Sequence, residues 1–170
     1  MSDESDLPPK MRPSAQVVPP KPLPRPQDPV EQEFWKRCQD GHLYFQRCGG
    51  CGRFRHLPRY MCAKCGSPEY SWERSSGKGT LFSWTVTHQA LHPAFADEIP
   101  FVAAVVELEE GVRMATRLID CDHESLELDL PVEVEFEVIG KDFRLPVFRL
   151  RERGHSVDGT PDNAKEEQPA

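Results

Sequence analysis

Apolar positions along this chain recur at two periods, and the change from one to the other divides it. Val30, Phe34 and Cys38 fall on one helical stripe, with Trp35 beside them. Asp28 is placed to cap that segment, Pro29 suits the first helical position, Glu31 can reach back as in a capping box, and Gly41 can end the helix. The pattern predicts a helix of about three turns. Its face with Phe34 and Trp35 must bury against the chain's own core or against a partner. His42 to Arg47 and the surroundings of Trp72 read as short strands. From Thr80 the period becomes two, which is the strand period. Thr80 to His88 is expected to turn Phe82, Trp84 and Val86 to one face and Ser83, Thr85 and Thr87 to the other. Pro100 to Leu108 is nearly continuous in apolar residues, and Val112 to Ile119 follows after the turn Glu109-Glu110-Gly111. Pro131 to Val138 alternates, with Val132, Val134, Phe136 and Val138 inward and Glu133, Glu135 and Glu137 outward. Pro146 to Leu150 returns. Five short strands with few helical signals predict a small barrel, and the OB-fold is the commonest five-stranded form.

The ends differ from this middle. Residues 1–27 carry runs such as Val18-Pro-Pro-Lys-Pro-Leu-Pro-Arg-Pro26, too rich in proline for a helix or a paired strand. They are expected to be a disordered tail or linker; the sharper alternative is an arm lying along a partner. Residues 152–170 are polar and read as a second disordered tail. The expected organisation is therefore a tail at 1–27, a helix and metal-bearing segment at 28–79, a barrel at 80–151 and a tail at 152–170.

Composition narrows the function classes. The chain has 170 residues and a mean hydropathy of -0.60, and no apolar run approaches the ~20 residues a membrane helix needs. The N-terminus lacks the basic start and apolar run of a signal peptide. Net charge is -7, but unevenly placed. Tyr44 to Gly79 holds seven basic against two acidic residues, net +5, whereas Thr80 to Leu150 holds five against fourteen, net -9. The two parts are suited to different partners, and the acidic one is poorly suited to a nucleic-acid backbone.

The sharpest chemistry is Cys48-Gly-Gly-Cys51 followed by Cys62-Ala-Lys-Cys65. Each pair puts two thiolates on one tight turn, and two such turns complete a tetrahedron of sulfurs. Gly52 and Gly66 follow the pairs, as the left-handed backbone of such turns requires. Paired disulfides would need an oxidising compartment, and a redox CxxC ordinarily stands alone on a helix N-terminus. The pattern predicts a zinc ribbon, with zinc preferred to iron although four thiolates can hold either. Thiols in metal spacing, with Cys38 and Cys121 apart, fit a reducing cytoplasm. Cys38 lies on the helix stripe and is expected to pack rather than ligate.

Taken together these residues resemble a known family. The order is Phe34-Trp35 on a helix, Gln46-Arg-Cys48, Leu57-Pro58-Arg59, Cys62-x-x-Cys65-Gly66-Ser67 and Trp72. Gly77-x-Gly79 then opens a strand, before Pro100-Phe-Val-Ala and Leu108-x-x-Gly111. Across about residues 28–151 this is similar to the acyl-CoA-associated zinc-ribbon and OB-fold proteins of domain of unknown function 35. The resemblance implies a mainly β fold: an N-terminal helix, a rubredoxin-like zinc ribbon and a five-stranded OB-fold barrel. It implies a non-catalytic partner of thiolase-superfamily enzymes that helps to form an acyl-CoA site, in some bacteria beside an aldolase acting on steroid side-chain CoA thioesters. A MaoC-type hydratase is a further partner it implies. One departure is visible: Asp129 precedes Leu130-Pro131 where the family tends to have glycine, which leaves that turn open.

Other candidates are weaker. Arg53, Arg55 and Arg59 lie between the cysteine pairs, and guanidinium forks suit the phosphates of coenzyme A; the alternative is a basic patch facing solvent or protein. His88 and His92 flank the loop after the first barrel strand without a visible catalytic partner, and read as loop or interface histidines, with Phe34 and Trp35 as further interface candidates. His56 is expected not to ligate, since four cysteines are at hand. The glutamates at 133, 135 and 137 read as a solubilising row. No catalytic residue is assigned. An accessory subunit of an acyl-CoA enzyme ranks first, a single-stranded nucleic-acid module second, and a self-sufficient thioester hydrolase or lyase third.

Overall fold

The structure is a computed structural model and describes residues 18–151. Asp28 caps the one α-helix among the described residues, α1 (Pro29–Cys38), its carboxylate accepting from the N–H groups of Val30 and Glu31. Glu31 reaches back one residue further than a capping box does, to the N–H of Gln27 at 3.1 Å. Val30, Phe34 and Cys38 are all buried, as the stripe predicts. Burial pushes the Cys38 thiol up to about 12, so it serves as a small apolar side chain.

Three short strands follow: β1 (Tyr44–Cys48), β2 (Phe54–Arg55) and β3 (Tyr70–Arg74), forming an antiparallel sheet in the order β2-β1-β3. The stretch between the cysteine pairs thus contributes a two-residue strand, β2. The remaining strands are β4 (Lys78–Thr87), β5 (Phe101–Leu108), β6 (Arg113–Ile119), β7 (Pro131–Ile139) and β8 (Phe143–Leu150). They close into a barrel in the order β4-β5-β6-β8-β7, antiparallel except for β6 with β8. The loop before β5 holds a 3-10 turn at Pro93–Glu98.

Two facing assignments change. On β4 the buried residue is Leu81, while Phe82 is exposed under the Arg113 guanidinium, 3.5 Å from its ring centroid. A bulge between Leu81 and Ser83 inserts one residue into the pairing with β5. The extra residue flips the parity, so that Trp84 packs on the same core as Leu81 and Phe82 does not. On β7 the predicted alternation holds from Val132 to Phe136, then slips: Val138 is exposed and Ile139 buried. That end pairs only with β8, through Val138 with Arg144 and Ile139 with Phe143, and a two-stranded ribbon is free to twist more than a barrel wall.

The glutamates of β7 are not a bare row. Glu133 and Glu135 face Arg149 at 3.1 and 3.4 Å. Glu137 faces Arg117 at 3.6 Å and Lys21 at 3.3 Å. Lys21 also pairs with Glu98 and sits over the Phe95 ring at 5.6 Å. Residues 18–27 form no helix or strand, and Lys21 fastens this stretch to the barrel. Residues 1–17 and 152–170 lie outside the described residues.

Asp129 occupies a left-handed position, φ +62, which explains why glycine suits it. The turn survives the substitution: Asp129 N–H donates to Leu81 O, and Leu81 N–H to Leu130 O, both at 2.9 Å. A single apolar core runs through the molecule, from Phe34, Cys38, Leu43 and Phe45 to Leu81, Val106, Val132 and Phe148. The helix and first strand of the ribbon are packed into the barrel rather than tethered to it.

Candidate metal centre

Each cysteine pair sits on the same backbone turn. In the first, Cys48 N–H donates to Arg53 O and Gly52 N–H to Cys48 O; in the second, Cys62 N–H donates to Ser67 O and Gly66 N–H to Cys62 O. Gly52 and Gly66 have φ of +70 and +74, a conformation that costs glycine nothing. The four Sγ atoms lie within 4.8 Å of one another. Two of the contacts, Cys48–Cys65 at 3.6 Å and Cys51–Cys62 at 3.7 Å, match the edge of about 3.8 Å that four Zn–S bonds of about 2.3 Å would give a tetrahedron. The residues therefore fit a four-thiolate ion.

Electrostatics support the fit. The N–H groups of Cys65 and Lys64 pull the Cys62 thiol down to about 6, and those of Cys51 and Gly50 pull Cys48 down. The N–H of Ser67 acts the same way on Cys65, but the neighbouring sulfurs of Cys48 and Cys51 outweigh it and push that thiol up to about 11. Four thiols this close compete for negative charge, and a divalent cation removes the competition. With four protein ligands the site is closed, so its chemistry is structural.

The turns hold the loop between them. Gln46 is fully buried on β1 and pairs across the sheet with Arg55. Its Oε1 accepts the Arg59 N–H at 2.7 Å, while Arg55 Nη1 donates to Arg59 O at 3.2 Å. Both backbone groups of Arg59 are thus fixed from below. Gln46 was noted in the sequence as part of a motif, but its bond to the Leu57-Pro58-Arg59 motif was not, because no spacing rule links them. His56 packs between the rings of Phe34 and Phe45, each at 5.4 Å. Burial pushes it down to about 4, so it is a neutral packing group outside the cysteine cluster.

Arg53, Arg55 and Arg59 do come together. They line a cleft of about 450 Å³ between the ribbon and the β5–β6 turn, joined by Lys64 and by Arg113 of the barrel. Arg55 is 8% exposed and stacks over Tyr70 at 5.2 Å; its Nε and Nη2 have no hydrogen-bond partner. Among the described residues Arg53, Arg55, Arg59 and Lys64 make no ion pair, and Arg113 pairs with Glu107 at 2.6 Å. Arg113 was missed because a sequence does not show which barrel turn faces the ribbon, and Lys64 because nothing in the spacing joins it to the three arginines.

The remaining candidates separate. Phe34 is buried, and Trp35 lies against Phe143 of the β7–β8 ribbon at 5.6 Å, so the helix face covers this chain's own core. His92 caps the 3-10 turn, its Nδ1 accepting the Ala94 N–H at 3.2 Å. His88 stands 6.2 Å from the ring of His123. Neither histidine touches a nucleophile among the described residues.

A four-cysteine ribbon packed on a closed five-stranded barrel defines a zinc-ribbon and OB-fold protein. The comparisons agree. Residues 35–71 match the model of the ChsH2 rubredoxin-like zinc ribbon domain, and residues 72–137 that of the ChsH2 C-terminal OB-fold domain. The chain belongs to the ChsH2/DUF35 family of zinc-ribbon and OB-fold proteins. It is 34% identical to a chain of the solved Ltp2-ChsH2(DUF35) aldolase, with a TM-score of 0.69, covering 74% of this chain and 98% of that one. A DUF35 domain-containing scaffold protein of Methanocaldococcus jannaschii is 32% identical over 117 residues, 68% of this chain and 82% of its own length. A probable enoyl-CoA hydratase alpha subunit of Thermomonospora curvata is 36% identical over 127 residues, 74% of this chain. The chain spans only 39% of that hydratase subunit.

Proposed function

We propose that this protein is a non-catalytic scaffold subunit that binds a thiolase-superfamily acyl-CoA enzyme, such as an aldolase of steroid side-chain thioesters, and helps to form its acyl-CoA site. The observation that carries this reading is the likeness to the DUF35 component of the Ltp2-ChsH2(DUF35) aldolase, which extends over nearly all of that chain. The closed cysteine cluster supports a structural role for zinc held by Cys48, Cys51, Cys62 and Cys65. A cytoplasmic setting follows on this reading, where four thiols stay reduced. The likeness to a hydratase alpha subunit makes a hydratase a second candidate partner.

In the assembled complex, Arg53, Arg55 and Arg59 take the phosphates of coenzyme A while the acyl group reaches the enzyme. Four cations that make no ion pair among the described residues, around one cleft, support this, since a guanidinium as buried as Arg55 is costly unless an anion meets it. The test is co-expression with a thiolase-like aldolase of the same cell, then thioester binding to the purified complex. Replacing the three arginines with alanine is expected to weaken acyl-CoA binding by tenfold or more, measured at protein concentrations where the complex is still assembled. Unchanged affinity removes the phosphate assignment. If the chain brings down nucleic acid and no enzyme, the scaffold reading fails.

A further inference from the structure

The loop between the cysteine turns presents an unusual surface. Leu57, Tyr60 and Met61 lie within five residues, and each is more than half exposed, at 61%, 54% and 60%. Single exposed apolar side chains are ordinary, but three large ones on one short loop are not. Arg53, Arg59 and Lys64 line one cleft with Leu57, and none of them makes an ion pair among the described residues. The loop is also held rigid, which matters for binding because an ordered loop loses little entropy when a partner arrives. The cysteine turns fix its two ends. Gln46 and Arg55 hold both backbone groups of Arg59 at its middle, and His56 anchors it between Phe34 and Phe45.

We infer that Leu57, Tyr60 and Met61 form the anchor by which this subunit seats on its partner enzyme, entering an apolar pocket on a protein surface rimmed by aspartate and glutamate. The inference rests on the scaffold reading and adds the place of contact to it. The composition is that of an interface centre, tyrosine and methionine with arginine at the edge. The charge of the rim selects an acidic partner and steers it during approach. A protein fits better than a nucleic acid, because only Tyr60 of the three offers a plane for a base to stack on and the adjoining barrel is acidic. The interface therefore centres on the ribbon loop, whose Leu57 shares a small cleft with the half-buried Trp35 of the helix.

The test uses the full chain co-expressed with a thiolase-like aldolase of its own cell. Leu57→Ala with Met61→Ala is compared with Leu128→Ala, a change at a barrel position of similar exposure, 62%. Zinc content and circular dichroism confirm that each variant is folded. The double variant is expected to bind the aldolase at least about thirtyfold more weakly, and Leu128→Ala to bind like the parent. Arg53→Glu with Arg59→Glu should slow association and abolish its dependence on salt. A parent complex that the double variant leaves unchanged, or that Leu128→Ala weakens equally, overturns the anchor while the scaffold reading stands. A parent chain that forms no complex overturns both. Binding of a single-stranded oligonucleotide that is lost with Leu57 and Met61 assigns the loop to nucleic acid and overturns it too.

Discussion

His56 shows how one side chain reports the packing around it. Its ring is enclosed by Phe34 and Phe45, and burial pushes it from 6.5 to about 4. Between those values the unfolded chain holds a proton that the folded chain refuses. Stability is therefore complete above 6.5 and falls as the pH drops towards 4. Between pH 7 and 5 the loss from this residue is roughly 2 kcal/mol. His56→Phe, which keeps the ring, should remove that share of the pH dependence, measured as the difference in urea midpoint between the two proteins. Protonation of the cysteines is common to both and cancels. Gln46 carries a related lesson. Its motif was visible, yet only the fold shows that it holds the loop from which the arginines and Leu57 project.

At the level of elements, the entry to the barrel depends on a close approach of two backbones. A Cβ on Gly79 would overlap the carbonyl oxygen of Glu107 and lie 2.9 Å from Leu108 Cα. Neither can give way without breaking the β4–β5 pairing. Gly79→Ala is expected to cost about 2–3 kcal/mol, read from chemical unfolding; a loss under 0.5 kcal/mol would mean that the strands are not in this register. The arm at residues 18–27 is a second case. Lys21 answers two carboxylates that otherwise share only Arg117. Burial alone would raise Glu98, but Lys21 and Arg117 together hold it below the usual carboxylate range. Lys21→Ala should free the arm, with the amide order parameter of Leu23 falling below about 0.6. Global stability should change by less than about 1 kcal/mol, since the pairs are partly exposed. An arm that stays ordered in the variant would place its attachment elsewhere.

The whole molecule behaves as one unit because one core joins its parts. Phe34, Leu43 and Phe45 from the helix and ribbon pack with Leu81, Val106 and Phe148 of the barrel, and each such side chain contributes about 2–3 kcal/mol by burial. Removing the metal with a chelator should therefore loosen more than the ribbon. Amide exchange is expected to quicken at Val102 and Val106 in β5 as well as across 44–74. Faster exchange confined to 44–74 would mean that the barrel stands without the metal. The same joint core sets the ribbon's basic loop over the β5–β6 turn, where Arg113 meets it. A cleft of that kind belongs to neither part alone, so neither part should bind acyl-CoA with the affinity of the intact complex.

Much of this protein was determined by its sequence. Cysteine spacing and the glycines after each pair define the metal turns by purely local geometry. Alternating or continuous apolar runs define the five strands, and the stripe from Val30 to Cys38 defines the helix. What the tertiary structure alone decided lies wherever one residue changes parity or two distant segments meet. A bulge at Leu81 turned Phe82 outward, although the alternation pointed it inward. The twist of an unsupported hairpin did the same to Val138. The helix face, open in the sequence between core and partner, buries Phe34 and lays the half-buried Trp35 against Phe143, a contact more than one hundred residues away in sequence. The surface we propose for a partner is the loop from Leu57 to Met61, whose apolar residues carry no period. Their exposure comes from the metal turns and from Gln46 and Arg55 beneath them, and no local pattern encodes it.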